Sequence, residues 1–335
     1  MKAQILDAIE SFGEEIEGYV LSPSARHLMT VDDNATKLSQ AKQEIFHSVT
    51  AKLLYIEKRA RPDIEPTVAF LCTRVDKSDV DDWKKLKRNL KWLKQTIDDN
   101  RIIGCDNLDS IFTWIDAAFA VHQNMRSQTG GAMSFGWGTI HARSSKQKLN
   151  TKSSTEAELV GLSEYIPYNI WLINFLKAQG YEIKHNIVYQ DNQSTIRMAK
   201  NGRNSCTGNS RHIDIRYFFV KDRVDKGELE IQYCPTYMML ADYFTKSLQG
   251  KAFRVYRDVV MGYKHISSLK ELTPSRIKER VENRNVSEKG VIPEGANTYE
   301  EKEMTNRTNE VRTGENSKRV NVKRASYKDA LVRSN

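Results

Sequence analysis

The chain has 335 residues, with 52 Lys and Arg against 43 Asp and Glu, so it carries a formal charge of +9 with 28% charged and 39% apolar residues. That length suits two core-forming domains rather than one. No stretch approaches the roughly eighteen consecutive apolar residues of a membrane span, and the acidic, amphipathic start MKAQILDAIESFGEEIEGYV is unlike a cleaved secretory signal, so a soluble, intracellular chain is expected.

Cys72, Cys105, Cys206 and Cys234 stand far apart with no C-x-x-C pair, which argues against a zinc knuckle or a disulfide framework and for buried thiols. The charge is unevenly spread. Residues 1–110 carry a net −2, residues 111–265 a net +7 and residues 266–335 a net +4. The last stretch has no Phe or Trp and too little apolar surface to offset ordering entropy, so it reads as a polar, disordered tail with at most a short helix near Pro274 to Glu282.

In chain order, residues 1–110 read as mainly helical. A helix is expected from about Gln40 to Arg59, ending near Pro62, followed by an apolar run from Thr67 to Thr73. Ser78 is placed to cap a further helix whose Trp83, Leu86, Leu90, Leu93 and Ile97 recur at steps of three and four. Its other face carries Lys84, Lys87, Arg88, Lys91 and Lys94, either a solvated surface or a face that tracks phosphates.

The middle segment changes character. DSIFTWID (residues 109–116) reads as a strand, and Gly130-Gly131 opens a hairpin partner over Ala132 to Ile140, with a third strand at Ala142 to Gln147. A long helix follows from about Ser154 to Gln179, interrupted by Pro167, then a strand at Asn186 to Tyr189 and a short helix up to Asn201. A helix from His212 to Lys226, an alternating strand from Glu228 to Cys234 and a last helix from about Met238 to Val260 complete the order. Strands and helices in this order make an α/β fold, a mixed five-stranded sheet flanked by helices.

Four acids fall at element junctions: Asp116 ends the first strand, Glu158 lies early in the long helix, Asp191 ends the fourth strand and Asp242 opens the last helix. Hard divalent ions take oxygen ligands, and two of them roughly 3.5–4 Å apart can activate water and hold the leaving oxygen of a phosphodiester. Each acid also has an ordinary explanation. Glu158 can cap with Thr155, Ser153 with Glu156 forms a rival capping pair, Asp191-Asn192 is normal turn chemistry, and Asp242 suits a helix start. Spacing alone leaves these alternatives open.

The blocks TWIDAAFAVHQNMRSQTGG, SSKQKLNTKSSTEAELVGLSEY, VYQDNQSTI, SRHIDIRYFFVKDRV and YCPTYMMLADYFTKSLQG together resemble, in this order, the ribonuclease H domain of copia-type retrotransposon Pol polyproteins. Upstream, FHSVTAKLLYIEKRARPDIEPTVAFLCTRV and DWKKLKRNLKWLKQT resemble the thumb and connection region that follows the reverse-transcriptase palm in those polyproteins. The resemblance implies three parts: a thumb/connection-like segment at residues 1–110, a ribonuclease H-like domain at 111–265 and the polar tail at 266–335. It further implies a catalytic and metal-binding quartet of Asp116, Glu158, Asp191 and Asp242. Glu158 is preferred to Glu156 on its Ala-Glu-Leu context.

The implied cofactor is Mg²⁺, two ions, with Mn²⁺ as a substitute. The implied reaction is hydrolysis of the RNA strand of an RNA/DNA hybrid, in a cytoplasmic particle or the nucleus. Candidate contacts to the hybrid are the five basic residues Lys84, Lys87, Arg88, Lys91 and Lys94, then Arg143, Lys146, Lys148 and Lys152 ahead of the long helix, and Arg211 and His212 in SRHIDIR. Trp137 is a further candidate.

Tyr237 and Ser247 depart from the family pattern close to Asp242. Asp32-Asp33 lies in a polar linker and does not match a polymerase palm, so no polymerase activity is expected, and a palm or element polyprotein supplied by another chain is a possible partner. Without that palm, the apolar face of residues 45–97 is expected to be under-covered. The alternative function is a catalytically silent nucleic-acid-binding remnant. An integrase fits less well, because its usual acid order is Asp, Asp, Glu.

Overall fold

The computed structural model describes residues 1–201 and 211–275, with the side chains of residues 211–215 and 217 left out. Four helices open the chain: α1 (Lys2–Phe12), α2 (Gln40–Arg59), α3 (Glu65–Cys72) and α4 (Val80–Gln95). Helix α2 buries Phe46, Val49, Leu53 and Ile56 along one face, as their spacing of three and four dictates. The rotation of α4 is fixed at its start by Asp79, whose carboxylate accepts from the Asp81 and Asp82 amides at 3.0 Å, while Arg74 pairs with Asp79 and Asp82 at 2.8 Å each. The cap is therefore Asp79 rather than the expected Ser78, because a carboxylate there also meets a guanidinium.

The apolar face of residues 45–97 is covered, contrary to expectation. Phe46, Val49, Leu53, Ile56, Leu86, Leu90 and Leu93 are all fully buried, and Phe12 of α1 stacks on Trp83 with ring centroids 4.4 Å apart. The expectation failed because α1 and the segment after it fold back onto α2 and α4.

The sheet follows. Strands β2 (Ser110–Ala118), β3 (Gln128–Ser134), β5 (His141–Lys146), β6 (His185–Gln190) and β7 (Glu230–Tyr233) stand in the order β5-β3-β2-β6-β7. The first three pair antiparallel, and β2-β6-β7 run parallel. A second, two-stranded sheet pairs β1 (Gly104–Cys105) with β4 (Gly136–Trp137), so the expected strand from Ala132 to Ile140 is split. Helices α5 (Ser154–Ala178), α6 (Gln193–Asn201) and α7 (Arg211–Asp225) cover one face, where Ile115, Leu159, Leu162, Ile166, Val188 and Ile231 form a core.

Gly130 and Gly131 lie inside β3 instead of opening a hairpin. Successive strand residues face opposite sides, and each side is crowded. A Cβ on Gly131 would stand 2.2 Å from the Tyr165 ring of α5, and one on Gly130 would stand 2.6 Å from Thr245 and 2.8 Å from the Ala241 carbonyl. Glycine is required there by close approach.

The last expected helix is two. Helix α8 (Asp242–Thr245) stops where Lys246 turns extended (φ −129°, ψ 144°), and α9 (Gly250–Met261) starts afresh. Residues Ile266–Leu272 form a 3-10 turn that buries Ile266 and Leu269, so this part of the expected tail belongs to the compact unit Met1–Leu272. The rest of the tail from residue 276, and Cys206, lie outside the described residues. Of the other thiols only Cys234 is buried; Cys105 is exposed and Cys72 half-buried.

The opening helical segment shares one buried charge cluster with α8 and α9. Asp63, fully buried, accepts from Arg61 Nε and Nη2 at 2.8 Å each, from Trp92 Nε1 at 2.9 Å and from Arg257 Nε of α9 at 3.2 Å, while Tyr243 of α8 donates to its carbonyl at 2.9 Å. Burial alone would raise the Asp63 carboxyl, but Arg61 and then Arg257 hold it well below the ordinary carboxylate range. Asp63→Ala leaves a buried guanidinium without its partner, and chemical denaturation should show a loss of about 3–5 kcal/mol. Because the folded value is depressed, that loss should be complete above about pH 4 and shrink in more acidic buffer.

Candidate active site

Parallel strands that diverge at a change of sheet order leave a crevice at their carboxyl ends, and β2 is such a strand, with a hairpin to β3 on one side and a crossover to β6 on the other. Trp114 of β2 pairs with Tyr189 of β6, and continuing that register sets Asp116 beside Asp191, just past the end of β6. Helix α5 packs across β2 and brings Glu158 to the same end. Its start explains which acid points inward. Ser153 accepts from the Glu156 amide at 3.2 Å and Glu156 accepts from the Lys152 amide at 2.7 Å, so Glu156 is used in the cap, while Glu158, half a turn on, is buried against the sheet.

The ligand oxygens of Asp116, Glu158 and Asp191 lie within 4.8 Å of one another. Asp242, at the start of α8, is 6% exposed and outside that group; it connects through Lys246, whose Nζ stands 2.6 Å from Asp242 Oδ1 and 3.9 Å from Asp116 Oδ2. Four further side chains hold the acids in place. Gln190 donates to Glu158 at 3.1 Å and to the Ile115 carbonyl at 3.3 Å, tying α5 to β2. Thr245 donates to Asp116 Oδ2 at 2.5 Å and Thr236 to Asp191 Oδ2 at 2.9 Å. Gln190, Thr236, Thr245 and Lys246 were not singled out from the sequence, although all four stand inside the quoted blocks. Gln190 precedes Asp191 directly, and Thr245 and Lys246 follow Asp242 by three and four residues, whereas Thr236 carries no signal of nearness to an acid in sequence.

Bringing buried carboxylates together without a cation is costly, and the site shows it. Burial, then Asp116 and Asp191, push Glu158 well above the ordinary range. Burial and then Asp116 raise Asp191, and burial and Asp116 push Asp242 up to about 8 although Lys246 opposes them. An all-oxygen, acid-rich donor set with this unrelieved repulsion suits a hard divalent cation, which Asp116, Glu158 and Asp191 are placed to hold.

The other candidates divide. On α4, Lys87 pairs with Glu14 at 3.0 Å, Arg88 donates to the Ser22 carbonyl at 3.2 Å and Lys94 to the Ile16 carbonyl at 2.7 Å, so this basic face mainly fastens the segment that follows α1. Lys91 is half-buried and Lys84 exposed. Arg143 lies over the Tyr168 ring, 5.2 Å from its centroid, and donates to its hydroxyl. Lys146 is half-buried on β5, and Lys148 and Lys152 are exposed on the loop that leads into α5. Trp137, 38% exposed, tilts against His265 in place of standing alone. The side chains of Arg211 and His212 lie outside the described residues.

No family model matches the chain. It is 28% identical over 257 residues to the Retrovirus-related Pol polyprotein from transposon TNT 1-94 of Nicotiana tabacum, an alignment covering 75% of this chain and 19% of that protein. It is 27% identical over 237 residues to the corresponding polyprotein from transposon RE2 of Arabidopsis thaliana, covering 70% and 16%. The chain thus spans about a fifth or less of the length of these relatives. Among solved structures it is similar to LC11-RNase H1, isolated from compost, at 14% identity and a TM-score of 0.31, covering 41% of this chain and 93% of that one.

The chain's homologues are copia-type retrotransposon Pol polyproteins, as the five blocks led one to expect. The fold assignment rests on the chain's own architecture, a mixed five-stranded sheet flanked by helices. No helix among the described residues is long and apolar enough to cross a membrane.

The electrostatics give a test that needs no substrate. Glu158→Gln removes a buried, repelled carboxylate, so its thermal midpoint in chelator should exceed that of the wild type. Mg²⁺ at about a hundred times its dissociation constant should stabilise the wild type by about 2.7 kcal/mol and the variant by much less. Equal Mg²⁺ responses in thermal scans of the two proteins would remove Glu158 from the ligand set.

Proposed function

We propose that residues 111–265 form a retrotransposon-derived ribonuclease H that cuts the RNA strand of RNA/DNA hybrids during reverse transcription, preceded by a thumb/connection-like segment at residues 1–110. The observation that carries this reading is the convergence of Asp116, Glu158 and Asp191 at the carboxyl ends of β2 and β6, with Asp242 joined to them through Lys246. Bound divalent ions, Mg²⁺ or Mn²⁺, would supply the charge that makes water a nucleophile and steadies the leaving oxygen.

The chain's own residues set up that chemistry. Asp116, Glu158 and Asp191 provide the oxygen ligands, and Asp242 adds a fourth carboxylate once Lys246 moves. Gln190, Thr236 and Thr245 fix the rotamers of the acids, so the site is organised before substrate arrives. Water oxygen attacks phosphorus, the bond to the 3′ oxygen breaks, and the products are a 5′-phosphate and a 3′-hydroxyl. The 2′-hydroxyls of the cut strand distinguish RNA from DNA. The partner is the hybrid, and a polymerase palm supplied by another chain or by a polyprotein would place this activity beside DNA synthesis.

A second reading, a silent nucleic-acid-binding remnant, is favoured by one observation: an ammonium already neutralises the Asp116 and Asp242 side of the site. Cleavage of a labelled RNA/DNA hybrid in Mg²⁺ or Mn²⁺ separates the two. Hydrolysis by the full chain that falls at least about a hundredfold in Asp116→Asn is the expected result, a size in line with losing one transition-state electrostatic contact. Salt-sensitive hybrid binding with no metal-dependent cleavage would favour the remnant instead.

A further inference from the structure

Asp116 belongs to two groups at once. On one side it meets Glu158 and Asp191, with ligand oxygens within 4.8 Å. On the other it faces Lys246, 3.9 Å from its Oδ2, and Lys246 in turn holds Asp242 at 2.6 Å. Four acidic side chains gathered in this way offer two places for positive charge, and the chain fills one of them itself. Lys246 stands between Asp116 and Asp242 as the one cation the chain itself supplies among these four acids.

We propose that Lys246 is a displaceable internal cation: one divalent ion binds at Asp116, Glu158 and Asp191 with Lys246 in place, and a second binds only by expelling the ammonium from between Asp116 and Asp242. The inference rests on the metal-binding reading of the site, but not on its activity. The local backbone suits such an exchange. Lys246 is the first residue after α8, already extended, and its side chain is 42% exposed, so its flexible four-carbon stem can carry the charge into water without disturbing α8. Asp242, by contrast, is fixed at the helix start and stays behind as a ligand.

Mn²⁺ titration of the full-length protein, followed by electron paramagnetic resonance, counts bound ions and detects pairs through their dipolar coupling. The wild type should bind one Mn²⁺ tightly and a second weakly. Lys246→Gln should tighten the second site by at least about tenfold, a fraction of the effect of a charge near 4 Å at the effective dielectric of a protein surface. Lys246→Arg, which keeps the charge, should stay near the wild type. Lys184→Gln serves as the control for net charge, since it precedes β6 at the end of that strand away from Asp191.

An unchanged second site in Lys246→Gln, equal shifts in Lys246→Gln and Lys184→Gln, or two equally tight ions in the wild type would each overturn the proposal. Absence of hybrid cleavage alongside the expected Mn²⁺ pattern would count against the ribonuclease reading alone.

Discussion

Asp63 holds together what the sequence divides. It is buried with two guanidinium groups and an indole around its carboxylate, and its neighbours come from the loop after α2, from α4 and from α9. A buried ion pair of this kind is poor at adding net stability but strict about geometry, because every donor left behind by its removal is desolvated. Arg61 also reaches the Thr96 carbonyl and hydroxyl at 2.9 and 2.7 Å, and Arg257 reaches Asp99, so the end of α4 is drawn into the same cluster. The helical segment is thereby welded to α8 and α9.

That weld reaches the site by one residue. Tyr243, which donates to the Asp63 carbonyl, follows Asp242 directly, and the adjacent Phe244 carbonyl accepts from Ser144 of β5 at 2.6 Å. Helix α8 has only four residues and could not hold its position by its own hydrogen bonds. It is clamped by the helical segment on one side and the sheet on the other, with Gly130 making room for it. Asp242, Thr245 and Lys246 all depend on that clamp. Residues 1–110 therefore bear directly on the site: through α8 they set the position of Asp242 and of the cation beside it.

Much of this was legible in the sequence, and the exceptions share a cause. The helix expected from about Gln40 to Arg59 matches α2, with Pro62 marking its end, and the alternation before Cys234 identified β7, because both signals are local. The three converging acids were found from their blocks. What was misread depended on tertiary contact. Gly130 and Gly131 look like a turn until α5 and α8 are seen pressing on the two faces of β3, and α8 to α9 looks like one helix until Lys246 is seen turning back toward Asp242. The basic face of α4 looked suited to phosphates because residues 14–22 carry no periodic pattern that would announce a partner for it.

That last correction moves the expected hybrid surface. Lys87, Arg88 and Lys94 have protein partners, and Arg143 is engaged with Tyr168, so charge read from composition at those positions is already spent inside the fold. The exposed candidates that remain near the acids are Lys148 and Lys152, on the loop that ends at Ser153, the cap of α5, five residues before Glu158. Phosphate contacts fix the register of a nucleic acid strand without reading its sequence. Under the proposed function, Lys148 and Lys152 are the exposed cations ahead of α5 that are free to meet such a phosphate.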